Sequence, residues 1–394
     1  MTAPKLRLAG FKEPWMPKRL GATGRILQER TSDFVRYPLY SLTIEKGVTK
    51  KTERYERGFL VSKTGDIFKI VHPGNFVTNP MNLRFGAVGY SKEKDDVSFS
   101  GYYDVFELDD NKCSPFWFNF LKREGMKKRY EDIATGSLIE KKRVYVNDLL
   151  NLELPIPELD ERKTLGEYLT SLDRLIDAEV SRLESLRKFK TACLEKMFVQ
   201  DGENCPRLRL SGFKGNWEQF RFGKIVERRS ESSMQRGLPR VEYADIRSGE
   251  GRLVDGYTGL GNHKKGIRFQ KGDVLFGKLR PYLRNNLCTT FDGIAVGDFW
   301  VLHSSDKILD GGFLFRLVET ESFQKVANTS VGSKMPRSDW NYVSDSIVSV
   351  PQDFEEQVAI AKFFADLDEL INLAAFEQER MRYLKSACME RMFV

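Results

Sequence analysis

The chain has 394 residues, enough for two or three domains each with its own core. Hydrophobic residues make up 41% of it and charged residues 30%, with 28 Phe and 14 Tyr, which excludes a chain disordered along its length. The formal charge of +7 favours a polyanionic partner, while five dispersed cysteines and three histidines, none at ligand spacing, exclude a clustered zinc site and fit a reducing cytoplasm. No apolar stretch approaches the ~18 residues of a membrane span, so a soluble cytoplasmic protein with no membrane contact is expected.

In chain order, the first feature is Pro4-Lys-Leu-Arg-Leu-Ala-Gly-Phe-Lys-Glu-Pro-Trp15, which returns as Pro206-Arg-Leu-Arg-Leu-Ser-Gly-Phe-Lys-Gly-Asn-Trp217. A second segment, 154–199, returns at 350–394, most visibly as Lys190-Thr-Ala-Cys-Leu-Glu-Lys-Met-Phe-Val199 and Lys385-Ser-Ala-Cys-Met-Glu-Arg-Met-Phe-Val394. The chain is therefore written twice. The intervening stretches, roughly 18–150 and 220–345, diverge. A scaffold kept alike around differing inserts points to two modules of one fold aimed at two targets.

Within the modules, alternating or short apolar runs at 55–69 and 266–275 predict strands, and 114–128 and 311–326 predict helices. The first of these helices is expected to start with Ser114 as N-cap and Pro115 at N1. Gly65-Asp66-Ile67-Phe68 echoes Gly272-Asp273-Val274-Leu275-Phe276, and Gly136-Ser137 echoes Gly332-Ser333.

After Pro155 and Pro157, apolar residues recur in steps of three and four: Leu165, Leu169, Leu172, Ile176, Val180, Leu183, Leu186, Phe189, Cys193 and Met197. The second copy carries Ile360, Phe364, Leu367, Ile371, Ala375, Met381, Leu384, Cys388 and Met392, with Gln378 interrupting once. These predict two helices of about 37 residues, on the order of 55 Å each. Matching seams favour an antiparallel pair acting as a spacer, over each helix docking on its own module.

The chemistry of a nucleic-acid enzyme is missing. There is no GxxxxGK[ST] phosphate loop. Gly256-Tyr-Thr-Gly-Leu-Gly261 has the wrong order for a dinucleotide fingerprint, and Asn79-Pro80-Met81 lacks the pattern that would hold a flipped adenine. Glu158 to Lys163 start a helix rather than a nuclease hairpin.

The duplicated order, the Pro-x-Leu-Arg-Leu-x-Gly-Phe opening, Gly272-Asp-Val-Leu-Phe-Gly-Lys-Leu-Arg-Pro-Tyr-Leu283 and the Glu355-Glu-Gln357 helix start together resemble the specificity subunits of Type I restriction–modification systems. The resemblance spans the whole chain. It implies an α+β protein with two similar target recognition domains, at 1–155 and 201–350, and two long antiparallel coiled-coil helices, at 156–200 and 351–394, in a pseudo-two-fold internal repeat. It implies a non-catalytic chain that reads a bipartite duplex DNA site and directs adenine methylation and restriction by its partners. Those are methyltransferase subunits, two of them, using S-adenosylmethionine, and restriction/translocase subunits using ATP and Mg. The chain itself would hold no metal or cofactor. A coiled-coil adaptor for proteins and a stand-alone DNA-binding regulator are the competing readings.

Expected DNA contacts in the second module are Lys278, Arg280, Tyr282 and Arg284, assigned to phosphate rather than base, then Lys264, Lys265, Arg268, Lys334 and Arg337. In the first they are Lys141, Lys142 and Arg143, with Lys50 and Lys51 as a weaker cluster. Each cation reads equally as a solvated turn residue. Phe198-Val199 and Phe393-Val394 either dock the methyltransferase or cap the helix pair.

Overall fold

The structure, a computed structural model, describes residues 3–44, 47–51, 67–138, 141–260, 263–304, 308–329 and 335–394. The chain divides into two compact units, Met1–Val180 with Phe376–Val394, and Ser181–Ala375. Two helices of 39 residues, Leu159–Met197 (the central helix) and Phe354–Met392 (the C-terminal helix), each contribute to both units. No helix among the described residues is long and apolar enough to cross a membrane.

Each unit repeats one architecture. A two-stranded ribbon, Met16–Arg19 with Glu153–Ile156 in the first unit and Glu218–Arg221 with Ile347–Val350 in the second, brings the ends of the module together. Beyond it lies a four-stranded antiparallel sheet. Its order is Gly24–Leu27, Asp104–Leu108, Phe76–Thr78, Val88–Tyr90 in the first unit, and Val226–Arg229, Phe299–Ser304, Val274–Gly277, Asn286–Cys288 in the second. A smaller sheet follows, Arg30–Thr31, Phe68–Val71, Val97–Phe99 against Ser232–Ser233, Gly266–Phe269, Gly293–Ala295 with Arg240–Val241 added in parallel. The predicted strand over 55–69 lies largely outside the described residues.

The helices expected over 114–128 and 311–326 each break in two. They run Ser114–Lys122 then Glu124–Ile133, and Gly311–Glu319 then Glu321–Ala327. Arg123 and Thr320 are extended at the breaks, and Thr320 caps the following helix by accepting the Phe323 N–H. Ser114 is not the cap: Cys113 holds that position, and the Ser114 hydroxyl donates to the Gly74 carbonyl at 2.8 Å.

The long helices are more than a spacer seam. Leu165 and Leu169 are buried in the first unit's core with Leu172 at its edge, while Ile360, Phe364 and Leu367 are buried in the second with Ile371 at its edge. Leu183 is buried, and Ile176 and Met381 are half-buried. Within the first unit the helix segments run antiparallel, with Lys385 reaching Asp173 at 2.5 Å; within the second, Lys190 reaches Asp368 at 2.7 Å. These lysines take the inward direction, so the preceding apolar residues rotate out: Leu384, counted into the seam, is 48% exposed and Phe189 is 52% exposed. Helix pairing and docking on the module thus occur together.

The repeated Met-Phe pair at each helix end enters a core. Phe393 packs edge-on against Trp15 at 6.3 Å and close to Phe116 and Phe120, both at 5.7 Å; Phe198 meets Trp217 at 5.9 Å and Phe313 at 5.3 Å. The opening motif is explained by the same contacts. Its Trp fills the core, and its Arg pairs with a buried Glu at a helix start, Arg7 with Glu161 and Arg209 with Glu356, each at 2.7 Å.

Candidate nucleic-acid interface

In the second module the strand Val274–Gly277 leads into a turn that carries Lys278, Arg280, Tyr282 and Arg284. Pro281 starts a single 3-10 turn, Pro281–Leu283, and the two flanking arginines take the left-handed conformation, at φ 50° for Arg280 and φ 51° for Arg284. Such backbone is held only where neighbours over-determine it. The Arg280 N–H donates to the Pro336 carbonyl at 2.8 Å, and the Ser338 N–H donates to the Lys278 carbonyl at 2.9 Å. The Leu279 N–H donates to the Tyr243 hydroxyl at 3.0 Å, and that hydroxyl donates to the Asp298 carbonyl at 2.7 Å. Burial pushes the Tyr243 phenol up to about 12, so it remains a donor at neutral pH.

Asp298 also ties the turn to the segment that carries Arg337. Its carboxylate lies 3.6 Å from the Lys278 ammonium and 3.0 Å from the Arg337 guanidinium. What the turn presents outward is Arg280, exposed, and Tyr282, 57% exposed, with Arg284 paired to Glu321 at 2.6 Å on the surface. A cation and an aromatic face on a braced loop can grip phosphate and stack on sugar or base.

The other candidates of this module sit on the smaller sheet or its edge. Lys264 pairs with Glu242 at 2.9 Å, Arg268 faces Glu231 at 3.8 Å, and Lys265 is exposed. Lys334, with Gly332 and Ser333, lies outside the described residues.

One constellation escaped the sequence. A cleft of about 570 Å³ beside Lys278 is lined by Arg228, Trp300 and Trp340. The Arg228 guanidinium stands 4.5 Å over the Trp340 ring and 5.9 Å from the Trp300 ring, with its charge exposed at the rim. The Arg228-Arg229 dipeptide was the available signal.

The first module changes the register of the comparison. The structural counterpart of Gly272-Asp273 is Gly74-Asn75; Gly65-Asp66 lies outside the described residues. Gly272, at φ 91°, donates to Thr289 O at 2.8 Å, Thr289 N–H returns to Asp273 O at 2.9 Å, and the Asp273 carboxylate accepts the Gln270 N–H at 2.7 Å. Gly74, at φ 83°, donates to Ser91 O at 2.8 Å, Ser91 N–H returns to Asn75 O at 2.9 Å, and Asn75 Oδ1 accepts the His72 N–H at 3.2 Å. The loop matching Lys278–Arg284 is therefore 80–86. It carries its own 3-10 turn, Leu83–Phe85, and its Pro80 carbonyl accepts the Val144 N–H at 2.9 Å as Lys278 accepts from Ser338.

Its chemistry is different. Met81 and Phe85 are 43% and 54% exposed beside Asn79 and Asn82, whereas the loop's one cation, Arg84, is buried against Glu131 at 3.0 Å. Lys142 holds the same carboxylate at 2.8 Å, and the two cations, Lys142 first, keep it below the usual carboxylate range. Lys141 and Arg143 are exposed, and Arg143 bridges to Thr135. Lys50 ends the strand Gly47–Lys50 in solvent and Lys51 is half-buried beside it.

Residues 37–188, which include this loop, match the model of the Type I restriction modification DNA specificity domain. The Type I restriction enzyme EcoDI specificity subunit of Escherichia coli is 23% identical over 329 residues, 73% of this chain and 71% of that one. The Type I restriction enzyme MjaVIII specificity subunit of Methanocaldococcus jannaschii is 23% identical over 264 residues, 61% of this chain and 60% of that one.

Solved structures share the fold. The Type I restriction–modification S subunit from M. genitalium superposes with TM-score 0.60 at 13% identity, covering 100% of this chain and 99% of the other. A chain from a structural study of complex assembly and conformational transition of the type I R-M system gives TM-score 0.52 at 15% identity, covering 97% and 98%. The two-domain α+β fold and the resemblance to Type I specificity subunits drawn from the repeats both hold.

Proposed function

We propose that this chain is the DNA-specificity subunit of a Type I restriction–modification complex, itself non-catalytic, reading a bipartite duplex site and directing adenine methylation and restriction by partner subunits. The target recognition domains are 1–155 and 201–350, and the helical spacers are 156–200 and 351–394. Two methyltransferase subunits carrying S-adenosylmethionine, and restriction/translocase subunits using ATP and Mg, supply the catalysis. The observation that carries this reading is the pair of topologically equivalent loops, 80–86 and 278–284, each with a 3-10 turn and an equivalent backbone bond, Val144 N–H to the Pro80 carbonyl and Ser338 N–H to the Lys278 carbonyl, and bearing opposite surface chemistry. One fold with two chemistries suits two unlike half-sites.

The second loop presents fixed cations, which hold phosphate and set register. The first presents Asn side chains and apolar groups, which suit base edges and thymine methyls. The half-sites would lie about one helical turn apart. The test is an adenine-methylation map of a methylation-free host expressing the methyltransferase subunit with and without this chain. A bipartite motif methylated only in its presence is expected; a soluble complex that adds no methylation contradicts the reading.

A further inference from the structure

The two units contain the same cleft in two electrostatic states. In the second unit, Lys190 on the central helix is neutralised twice, by Asp368 at 2.7 Å and Glu319 at 2.9 Å, and Arg316 ties both acids together at 2.6 and 2.7 Å. The turn Gly249-Glu250-Gly251 covers the site, and Glu250 reaches Arg187 at 3.7 Å. The space left is about 240 Å³.

The first unit keeps the basic half of this arrangement and one of its acids, and loses the other. Lys385 and Arg382 hold the places of Lys190 and Arg187, and Asp173 that of Asp368. Where Glu319 closes the second unit, the first has Lys122 at the end of the helix Ser114–Lys122. Arg316 is replaced by Asn119. Among the described residues no carboxylate pairs with Lys122, Arg129 or Arg382, and the cleft opens to about 860 Å³.

Glu124, paired with Lys127 at 2.7 Å, and Glu390 also line the cleft and Arg123 Nη1 donates to the Val394 carbonyl, so the positive charge is only partly compensated, and it is partly withdrawn from water. Burial, together with Lys385, Lys92 and Lys127, holds the Lys122 ammonium below its ordinary pKa, and burial with Arg129 nearby brings Arg123 down to about 10. The Arg123 Nε is buried with no acceptor among the described residues. Ile176, Met389 and Phe393 supply an apolar wall.

Resting on the function proposed above, we propose that this cleft is the docking site for an acidic segment of a protein partner, whose carboxylates take the places that Glu250 and Glu319 fill in the second unit. The second unit shows the occupant's chemistry: an acidic turn beside a lysine and an arginine. An apolar wall behind basic groups fits a peptide that carries both carboxylates and aliphatic side chains better than it fits a phosphate backbone.

The test uses the full chain and, as titrant, the methyltransferase subunit of its system, with calorimetry for assembly and anisotropy for duplex DNA binding. The variants are Lys122→Glu, which copies the second unit, and Lys122→Glu/Arg382→Glu. Lys122→Glu supplies Lys385 with a second partner beside Asp173, as Glu319 does for Lys190, so Tm should not fall. Assembly should weaken at least tenfold in the double variant, with DNA affinity of the free chain within twofold of wild type. Assembly within twofold of wild type at unchanged Tm overturns the proposal, as does a tenfold loss of DNA affinity with assembly intact, which marks a phosphate site. Failure of the wild-type complex to bind duplex DNA counts instead against the function proposed above.

Discussion

Arg209 holds Glu356 through paired hydrogen bonds, Nε and Nη2 each 2.7 Å from a carboxylate oxygen that is buried at the start of the C-terminal helix. The rest of the guanidinium donates to the Lys214 and Gly215 carbonyls, so the opening motif is tied to the helix by one side chain. Removing the arginine strands a buried carboxylate, which typically costs 3–5 kcal/mol. The free N–H groups of the first helical turn still favour Glu356. Arg209→Ala should therefore destabilise the second unit by about 3 kcal/mol, and adding Glu356→Gln should recover part of it. Urea denaturation checks this, and a loss under about 0.5 kcal/mol, the size of an ordinary surface substitution, would contradict it.

Phe393 belongs to the first unit's core although it lies near the end of the chain, 7% exposed among Trp15, Phe116 and Phe120. Phe393→Ala should cost about 3–5 kcal/mol, as large aromatic truncations in cores do. A chain ending at Ala375 should lose the first unit's cooperative transition while retaining that of Ser181–Ala375. Differential scanning calorimetry separates the two.

The phosphate-facing role of the second loop makes a salt prediction. Arg280→Ala should weaken DNA binding across sequences and lower the slope of log K against log salt by about 1. Tyr243→Phe removes no charge but leaves the Leu279 N–H without its acceptor, a change of about 1–2 kcal/mol. It should weaken binding with the salt slope unchanged. Met81→Ala or Asn82→Ala in the first loop should relax sequence preference at one half-site, again without a change in slope.

His72 takes the place of Gln270 and stands between Asp96 at 2.7 Å and Glu29 at 3.2 Å. Burial lowers its pKa, but the hydrogen bonds and charges of Asp96 and Glu29 outweigh that and the net shift is upward. A folded pKa above the unfolded value of about 6.5 means the stabilisation is complete below pH 6.5 and lost as pH rises through the folded pKa. The first unit should therefore lose a little stability as pH rises above about 6.5, well under the full Coulomb energy because the ring is over a third exposed. His72→Gln should remove the dependence. An NMR titration placing the His72 pKa at or below 6.5 contradicts it.

The sequence was most legible where a residue's role repeats with fixed spacing. The long helices announced themselves through Leu165, Leu169, Ile360 and Phe364, and the duplication through Trp15 and Trp217. Two things were hidden. The inward turn of Lys190 and Lys385 is set by Asp368 and Asp173, far away in sequence, so a periodicity count placed Leu384 on the wrong side. The first-module loop was hidden because Gly74-Asn75 makes with an amide the bond that Gly272-Asp273 makes with a carboxylate, while Gly65-Asp66 imitated the letters. The Glu161 and Glu356 pairings, likewise, join residues over a hundred positions apart.

The most direct test of the account replaces residues 18–153 with a second copy of 220–347, cutting within the equivalent ribbons Met16–Arg19/Glu153–Ile156 and Glu218–Arg221/Ile347–Val350. Adenine methylation is then mapped in a methylation-free host that also expresses the methyltransferase subunit. If each module reads its own half-site, the modified motif contains two copies of the half-site assigned to the second module and none of the first. A motif unchanged by the exchange, from a soluble chimera that still supports methylation, would show that the modules do not set the sequence read.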